Sequence, residues 1–238
     1  MSEHIVFYVG TQNFYHMMTL SLKSLLYHTH VDKVYFMIET DTFPEPLPPC
    51  VECVNISGNT YFRHDGPNYH SCFSYIVMIR AALPLMFPHI HTALSIDADT
   101  LIQNDISPLF DVDLSGQHIA ACYELPQHNG YNYYNAGVML MNFDQLRTDD
   151  VPRQAINALN TYRFRYPEQD VLNNYCKNRF VTLPSDYNYV PGITYPSEHP
   201  RIRHYVAKKG KPLMLRDAKP YENMSWEDVL GKKGDRNE

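Results

Sequence analysis

The run Ala93-Leu94-Ser95-Ile96 passes directly into Asp97-Ala98-Asp99, and the chain turns apolar again at Leu101-Ile102. A short apolar run bounded in this way reads as a buried strand. Ionised carboxylates are costly to bury unless they are paired or hold a metal. The strand must therefore end where positive charge collects. In an open α/β sheet, ligands bind in the crevice beyond the carboxyl ends of the strands. If the strand continues through Asp99, both acids project to the same side, and one divalent ion can meet both. Oxygen donors of this kind suit Mg2+ or Mn2+, with a phosphate-bearing ligand bridged by the ion. A solvated turn whose acids cap backbone amides accounts for the same spacing, so the pair alone leaves both readings open.

The surrounding pattern fixes the fold class. Residues 5–9 read as a buried strand closed by Gly10. Residues 17–27 carry helical spacing, with Met18, Leu22, Leu25 and Leu26 on one side. Residues 34–38 and 51–56 read as strands, separated by the four-proline stretch 43–49, which must be a loop. Residues 72–86 are expected to form a helix that Pro84 kinks or stops. Strands alternating with helices indicate an α/β fold with a mainly parallel sheet. Farther on, strands are expected at 118–122 and 136–141, helices at 152–162 and 169–177, and ordered loops at 130–134 and 187–200. A short helix is expected at 226–230, followed by a disordered end. No repeat or linker interrupts the pattern. One domain is expected over 1–220, with a short tail over 221–238.

Composition narrows the function classes. The formal net charge of −6 argues against nucleic-acid binding, which needs a basic face. The last third is more basic, with Lys208, Lys209, Lys211, Arg216, Lys219, Lys232 and Lys233. Such a cluster suits phosphates or weak peripheral contact with an anionic membrane; Lys232 and Lys233 read better as a solvated tail. The five Cys are odd in number and scattered, so they form no disulfide framework, and Cys50-x-x-Cys53 lacks the second pair a structural zinc needs. Met1-Ser2-Glu3-His4 leads straight into the first strand, so no signal peptide is expected. No run reaches the ~20 apolar residues of a membrane span. A soluble cytoplasmic protein is the expectation.

Four further stretches fall in order around the acid pair. They are Arg80-Ala81-Ala82-Leu83-Pro84 before it, then Tyr134-Asn135-Ala136-Gly137-Val138-Met139-Leu140-Met141-Asn142, Pro167-Glu168-Gln169-Asp170-Val171-Leu172-Asn173 and Ile202-Arg203-His204-Tyr205. Together, from residue 5 to about residue 212, they resemble glycosyltransferase family 8. That is the group of the bacterial lipopolysaccharide galactosyl- and glucosyltransferases and of glycogenin. The resemblance implies a GT-A fold, a single Rossmann-like nucleotide-diphospho-sugar transferase domain. It implies a nucleotide-sugar donor, UDP-glucose or UDP-galactose, and a glycan, lipid-glycan or protein acceptor. It also implies Mn2+, with Mg2+ as an alternative, and retention at the anomeric carbon.

Carried over residue by residue, Asp97 and Asp99 become the aspartate ligands, with Ala98 between them in the donor site, and His204 the third protein ligand. Imidazole joined to two carboxylates suits Mn2+ better than Ca2+. Val9, Gly10, Thr11 and Gln12 match the first loop, which holds base and ribose; Gly10 lets the backbone approach closely. Arg80 matches the basic residue that contacts the acid motif and donor. Asn135 matches the sugar-contacting Asn, with Gly137 leaving room beside it. Glu168 and Gln169 stand where the family has Asp-Gln, around the sugar and the reacting carbon. Asp170 either holds the sugar or is a helix N-terminal acid favoured by the dipole. The acceptor is expected over the Tyr-rich segments 131–134 and 187–195.

The chain departs from the family at His204-Tyr205-Val206-Ala207-Lys208-Lys209-Gly210-Lys211-Pro212-Leu213. The family pattern is His-x-x-Gly-x-x-Lys-Pro-Trp. Spacing to Lys211-Pro212 is one longer, Ala207 replaces Gly, and Leu213 replaces Trp. The diphosphate contact then falls to Lys211, or to Lys208 or Lys209, or Gly210 takes over the backbone approach. Front-face transfer and double displacement both stay open. So do a nucleotide-sugar-binding protein without useful turnover, and a nucleotidyltransferase, although the Gly- and Lys/Arg-bearing loop of the latter is missing after the first strand.

Overall fold

Strand β1 (Ile5–Val9) buries side chains on both faces, so it must lie at the centre of a covered sheet. Ile5 and Phe7 enter one apolar cluster and Val6 and Tyr8 the other. The computed structural model that shows this describes residues 3–231, the side chains of Ala207 and Lys208 excepted. Lys232, Lys233, the end beyond them and the side chain of Lys208 lie outside the described residues.

Helix α1 (Tyr15–His28) follows β1 and covers one face with Met18, Leu22, Leu25 and Leu26. Strands β2 (Lys33–Ile38) and β3 (Val51–Asn55) extend the sheet in parallel, and the proline stretch between them is a loop. Helix α2 (Ile79–Met86) covers the other face. It is shorter than the expected helix over 72–86. Ser74 takes a positive φ of 62°, so helical backbone starts only after it, as a 3-10 turn over Tyr75–Met78. Pro84 sits inside α2, which ends two residues later.

Strand β4 (Thr92–Asp97) stops at the first acid, Ala98-Asp99 form a turn, and β5 (Thr100–Ile102) begins a second sheet. The acids are therefore gathered by a turn, not by the pleat of one continued strand. Strand β6 (Ile119–Tyr123) leads through α3 (Pro126–Asn129) to β7 (Tyr134–Asn142). Helices α4 (Phe143–Thr148), α5 (Val151–Thr161) and α6 (Pro167–Tyr175) follow, then β8 (Phe180–Thr182).

The main sheet has the order β3-β2-β1-β4-β7-β6-β8. Only β7 runs antiparallel to its neighbours, so the expected mainly parallel sheet is what forms. Strand β9 (Ile202–His204) pairs antiparallel with β5, placing His204 opposite Thr100. The apolar pair Leu101-Ile102 hints at β5, but nothing in the hydropathy pattern marks β9 or its pairing, and that register delivers His204 to the acids. The stretch after it, where the chain departs from the family pattern, is helix α7 (Ala207–Asp217) with Pro212 inside. Helices α8 (Lys219–Glu222) and α9 (Trp226–Gly231) close the described chain. The part expected as a tail packs on the α1 side: Val229 is buried there, and Trp226 Nε1 donates to Pro46 O at 2.8 Å. Among the described residues no helix is long and apolar enough to cross a membrane.

The loop before α2 depends on one buried amide. Asn68 Nδ2 donates to Leu159 O (2.6 Å) and Tyr162 O (2.7 Å), and its Oδ1 accepts from Phe164 N (2.9 Å). Truncation strands three backbone groups at a site only 1% exposed. Asn68→Ala is expected to lower the unfolding free energy by about 2–4 kcal/mol. A lower urea midpoint with an unchanged slope is the expected reading.

Candidate active site

The carboxyl ends of β1 and β4 and the start of β7 open onto a cavity of about 630 Å³. Residues expected to meet far apart in sequence converge there. Donor atoms of Asp97, Asp99 and His204 all lie within 4.8 Å of one another. His204 Nε2 stands 3.1 Å from Asp99 Oδ1 and 3.4 Å from Asp97 Oδ2. Backbone pairing holds this corner, because Tyr205 N donates to Asp99 O at 2.8 Å. Gly137 leaves room for the imidazole: a Cβ there would fall 2.2 Å from His204 Cε1.

Arg80, projected from α2 and 5% exposed, spans the two halves of the site. Its Nη1 donates to Asp97 Oδ1 (2.6 Å) and Ala136 O (2.8 Å), while its Nη2 pairs with Glu168. Burial pushes the Glu168 carboxyl up to about 7 against the pull of Arg80, and Asp97 adds to the rise. Burial likewise raises Asp97, opposed by Arg80 and His204 and reinforced by Asp99. Burial works against a charged His204, yet Asp99, with Asp97 behind it, holds the imidazole above its ordinary value. Burial leads for the two carboxyls and opposes the imidazole, and the neighbouring acids push all three the same way. The lining carries the carboxylates of Asp97, Asp99, Glu124 and Glu168 against the single guanidinium of Arg80. Two carboxylates and one imidazole around an excess of negative charge form a donor set that fits Mn2+ or Mg2+.

Gln169 and Asn135 face the same cavity. Gln169 Oε1 accepts from Ala136 N (2.9 Å), and its Nε2 donates to Glu124 Oε1 (3.0 Å). Asn135 Nδ2 donates to the same oxygen at 2.8 Å. Glu124, 5% exposed, was not anticipated. The signal was present, since an acid follows the apolar strand over 119–123 much as Asp97 follows 93–96. Asn129, which donates to Glu124 Oε2 at 2.6 Å, and the fully buried Asn188 carried no such signal.

The other expected residues divide between the lining and its surroundings. Val9, Gly10, Thr11 and Ala98 line it, whereas Gln12 is exposed and does not. The close approach at Gly10 is to α1, where a Cβ would meet Met18 Sδ at 2.5 Å. Asp170 holds the Tyr133 hydroxyl and accepts from Tyr166 N at 2.8 Å, so its carboxylate is engaged beside the cavity at the start of α6. Lys211 Nζ lies 4.0 Å from the centroid of the Phe14 ring; Phe14 lines the cavity and Lys211 does not. Gly210 packs against Tyr205, where a Cβ would meet the carbonyl oxygen at 2.1 Å. Of the Tyr-rich segments, Ile193 reaches the lining, while Tyr131 stands 85% exposed.

Such a mostly parallel sheet is the fold of GT-A glycosyltransferases. Residues 5–212 match the family described as Glycosyl transferase family 8, and the chain belongs to it. It is 28% identical over 144 residues to a putative glycosyltransferase of Haemophilus influenzae, covering 53% of this chain and 44% of that protein. It is 28% identical over 170 residues to the probable glycosyl transferase Gly of Streptococcus gordonii, covering 67% of this chain and 25% of that one. The chain thus spans less than half the length of either relative. Among solved structures it superposes on the glycosyltransferase GlyE of Streptococcus pneumoniae with a TM-score of 0.75 at 19% identity, over 98% of this chain and 63% of the other. The galactosyltransferase LgtC, solved with donor and acceptor sugar analogs, gives 0.67 at 18% identity, over 96% and 99%.

Proposed function

We propose that this domain transfers a hexose, glucose or galactose, from a UDP-sugar to a glycan, lipid-glycan or protein acceptor, with retention at the anomeric carbon. The observation that carries the reading is the convergence of Asp97, Asp99 and His204 beside the Arg80–Glu168 pair. A UDP-sugar is anionic and the cavity already holds four carboxylates, so donor entry calls for a cation. Asp97, Asp99 and His204 would hold Mn2+, or Mg2+, which when bound supplies Lewis-acid stabilisation to the departing diphosphate. Arg80 fixes Asp97 on one side and Glu168 on the other. Val9, Gly10, Thr11 and Ala98 offer the base and ribose their wall. Asn135, Glu168 and Gln169 surround the sugar. Lys211 stays on the Phe14 ring, outside the lining, in this reading, and neutralisation of the diphosphate falls to the metal corner and Arg80.

Retention requires either two inversions or attack from the leaving-group face. Outside the metal corner, the carboxylates of the described lining are Glu124 and Glu168. Glu168 is paired with Arg80, and Glu124 accepts from three side-chain amides. A double displacement needs one of them to abandon those bonds. Front-face transfer, with a diphosphate oxygen accepting the acceptor's proton as the sugar–oxygen bond breaks, needs neither.

The test is nucleotide release from UDP-glucose and UDP-galactose, with Mn2+ and with EDTA. UDP released with Mn2+ and suppressed by EDTA is the expected outcome. Binding of a UDP-sugar without release would leave a carrier on this fold, and released pyrophosphate would indicate a nucleotidyltransferase.

A further inference from the structure

A directional chain of hydrogen bonds runs under the cavity floor from the sugar side to His204. His204 Nδ1 lies 2.9 Å from Asn188 Oδ1, and Asn188 Nδ2 lies 2.7 Å from Asn135 Oδ1. Amide orientations are fixed by their neighbours, and here the neighbours are unambiguous. Gly137 N–H, a backbone donor, points at Asn135 Oδ1 from 2.9 Å, so that atom is an acceptor. The Asn135 amino group then faces the Glu124 carboxylate, which can only accept while ionised. The group that Asn188 turns to Asn135 must therefore be its amino group. Its oxygen is left for His204, whose Nδ1 must carry a proton. All four residues are 6% exposed or less, so water does not offer the imidazole an alternative partner.

We infer that Asn188 is a positioning residue: its Oδ1 holds the proton of His204 on Nδ1 and aims Nε2 into the gap between Asp97 and Asp99. The part of the inference that concerns metal rests on the proposed reading above. A metal-binding histidine needs its free nitrogen oriented, and the hydrogen bond made by the other nitrogen does this. The same relay joins the metal corner to the sugar side, because Glu124 also receives Gln169. The Asn188 side chain lies below the described cavity lining and makes its contacts within the relay.

Two readouts test it, neither of which is turnover. The first needs no metal. In metal-free protein labelled with 15N-histidine, His204 is expected to show a Nδ1–H resonance protected from solvent exchange. It should be absent in His204→Ala, which assigns it, and lost in Asn188→Ala. Asn188→Asp keeps the acceptor for Nδ1 and should keep the resonance, while losing the donor to Asn135 Oδ1 and with it some stability. The second is Mn2+ affinity by electron paramagnetic resonance titration. Asn188→Ala should weaken binding about 10–100-fold, whereas in a His204→Ala background the same change should do almost nothing. An unprotected Nδ1 in the wild type overturns the inference, and that spectrum decides the case if Asn188→Ala does not fold. So does an undiminished Mn2+ affinity in Asn188→Ala, or an equal loss in both backgrounds. A protected resonance in a wild type that does not bind Mn2+ supports the relay and sinks only the metal reading.

Discussion

Asp97→Asn is expected to reduce Mn2+-dependent UDP release by about 10²–10³-fold or more, the scale of losing a principal electrostatic stabiliser. Asp97 works with both oxygens. Oδ1 accepts from Arg80 at 2.6 Å, and Oδ2 faces His204 at 3.4 Å. An amide in its place removes one of three proposed ligands and one negative charge from the corner. Its amino group is a donor and cannot serve both neighbours. Arg80 keeps Glu168 and Ala136 O as partners, so the guanidinium is not stranded. The thermal midpoint in EDTA should therefore move by only a few degrees, while Mn2+ affinity falls steeply. The three measurements separate the explanations. Lost activity with an unchanged midpoint and weakened Mn2+ binding places Asp97 in the metal corner. Lost activity with a collapsed midpoint assigns the residue to the fold. Near-full activity with Mn2+ would remove Asp97 from the site.

The core strands and the acid corner were legible because each obeys a local rule. The strands over 5–9, 34–38 and 93–96 are short apolar runs, and sheets covered on both faces give that pattern. The acids at 97 and 99 stand out because carboxylates seldom end such runs without a partner. What the sequence hid depends on pairing at a distance. Strands β5 and β9 have three residues each, and beyond the apolar pair Leu101-Ile102 no hydropathy signature announces their pairing, yet the Thr100–His204 register is what makes the site. The helix over 72–86 was overestimated because the apolar spacing runs on through 72–78, although Cys, Phe, Ser, Tyr, Ile and Val there are only middling helix formers. The break is a positive φ at Ser74, which no composition rule flags. Glu124 could have been found by applying the Asp97 rule twice. Asn188 could not, since a buried Asn in a Tyr-rich loop gains its meaning only from the carboxylate and backbone amide that orient it.

Gly137→Ala is expected to cost the metal corner as much as deleting His204. Gly137 sits inside β7, where glycine ordinarily weakens a strand, so its presence needs a reason. The added Cβ would lie 2.2 Å from His204 Cε1, 2.4 Å from Nδ1 and 3.0 Å from Asn135 Oδ1. The ring has little room to retreat. It is 3% exposed, its Nδ1 is held by Asn188, and β9 is locked in register with β5. Overpacking of this kind costs about 1–3 kcal/mol, and the strain falls on the imidazole because the strand backbone cannot yield. Mn2+ affinity should drop to the level of His204→Ala, and the thermal midpoint should fall as well. A double variant separates steric displacement from generic damage to β7. In His204→Ala the space that the methyl needs is vacant, so adding Gly137→Ala should cost far less stability there than in the wild type. Metal binding should remain lost in the double variant. If the stability loss is the same in both backgrounds, the methyl is clashing with something other than His204, and the reason for a glycine at this position lies elsewhere in the strand.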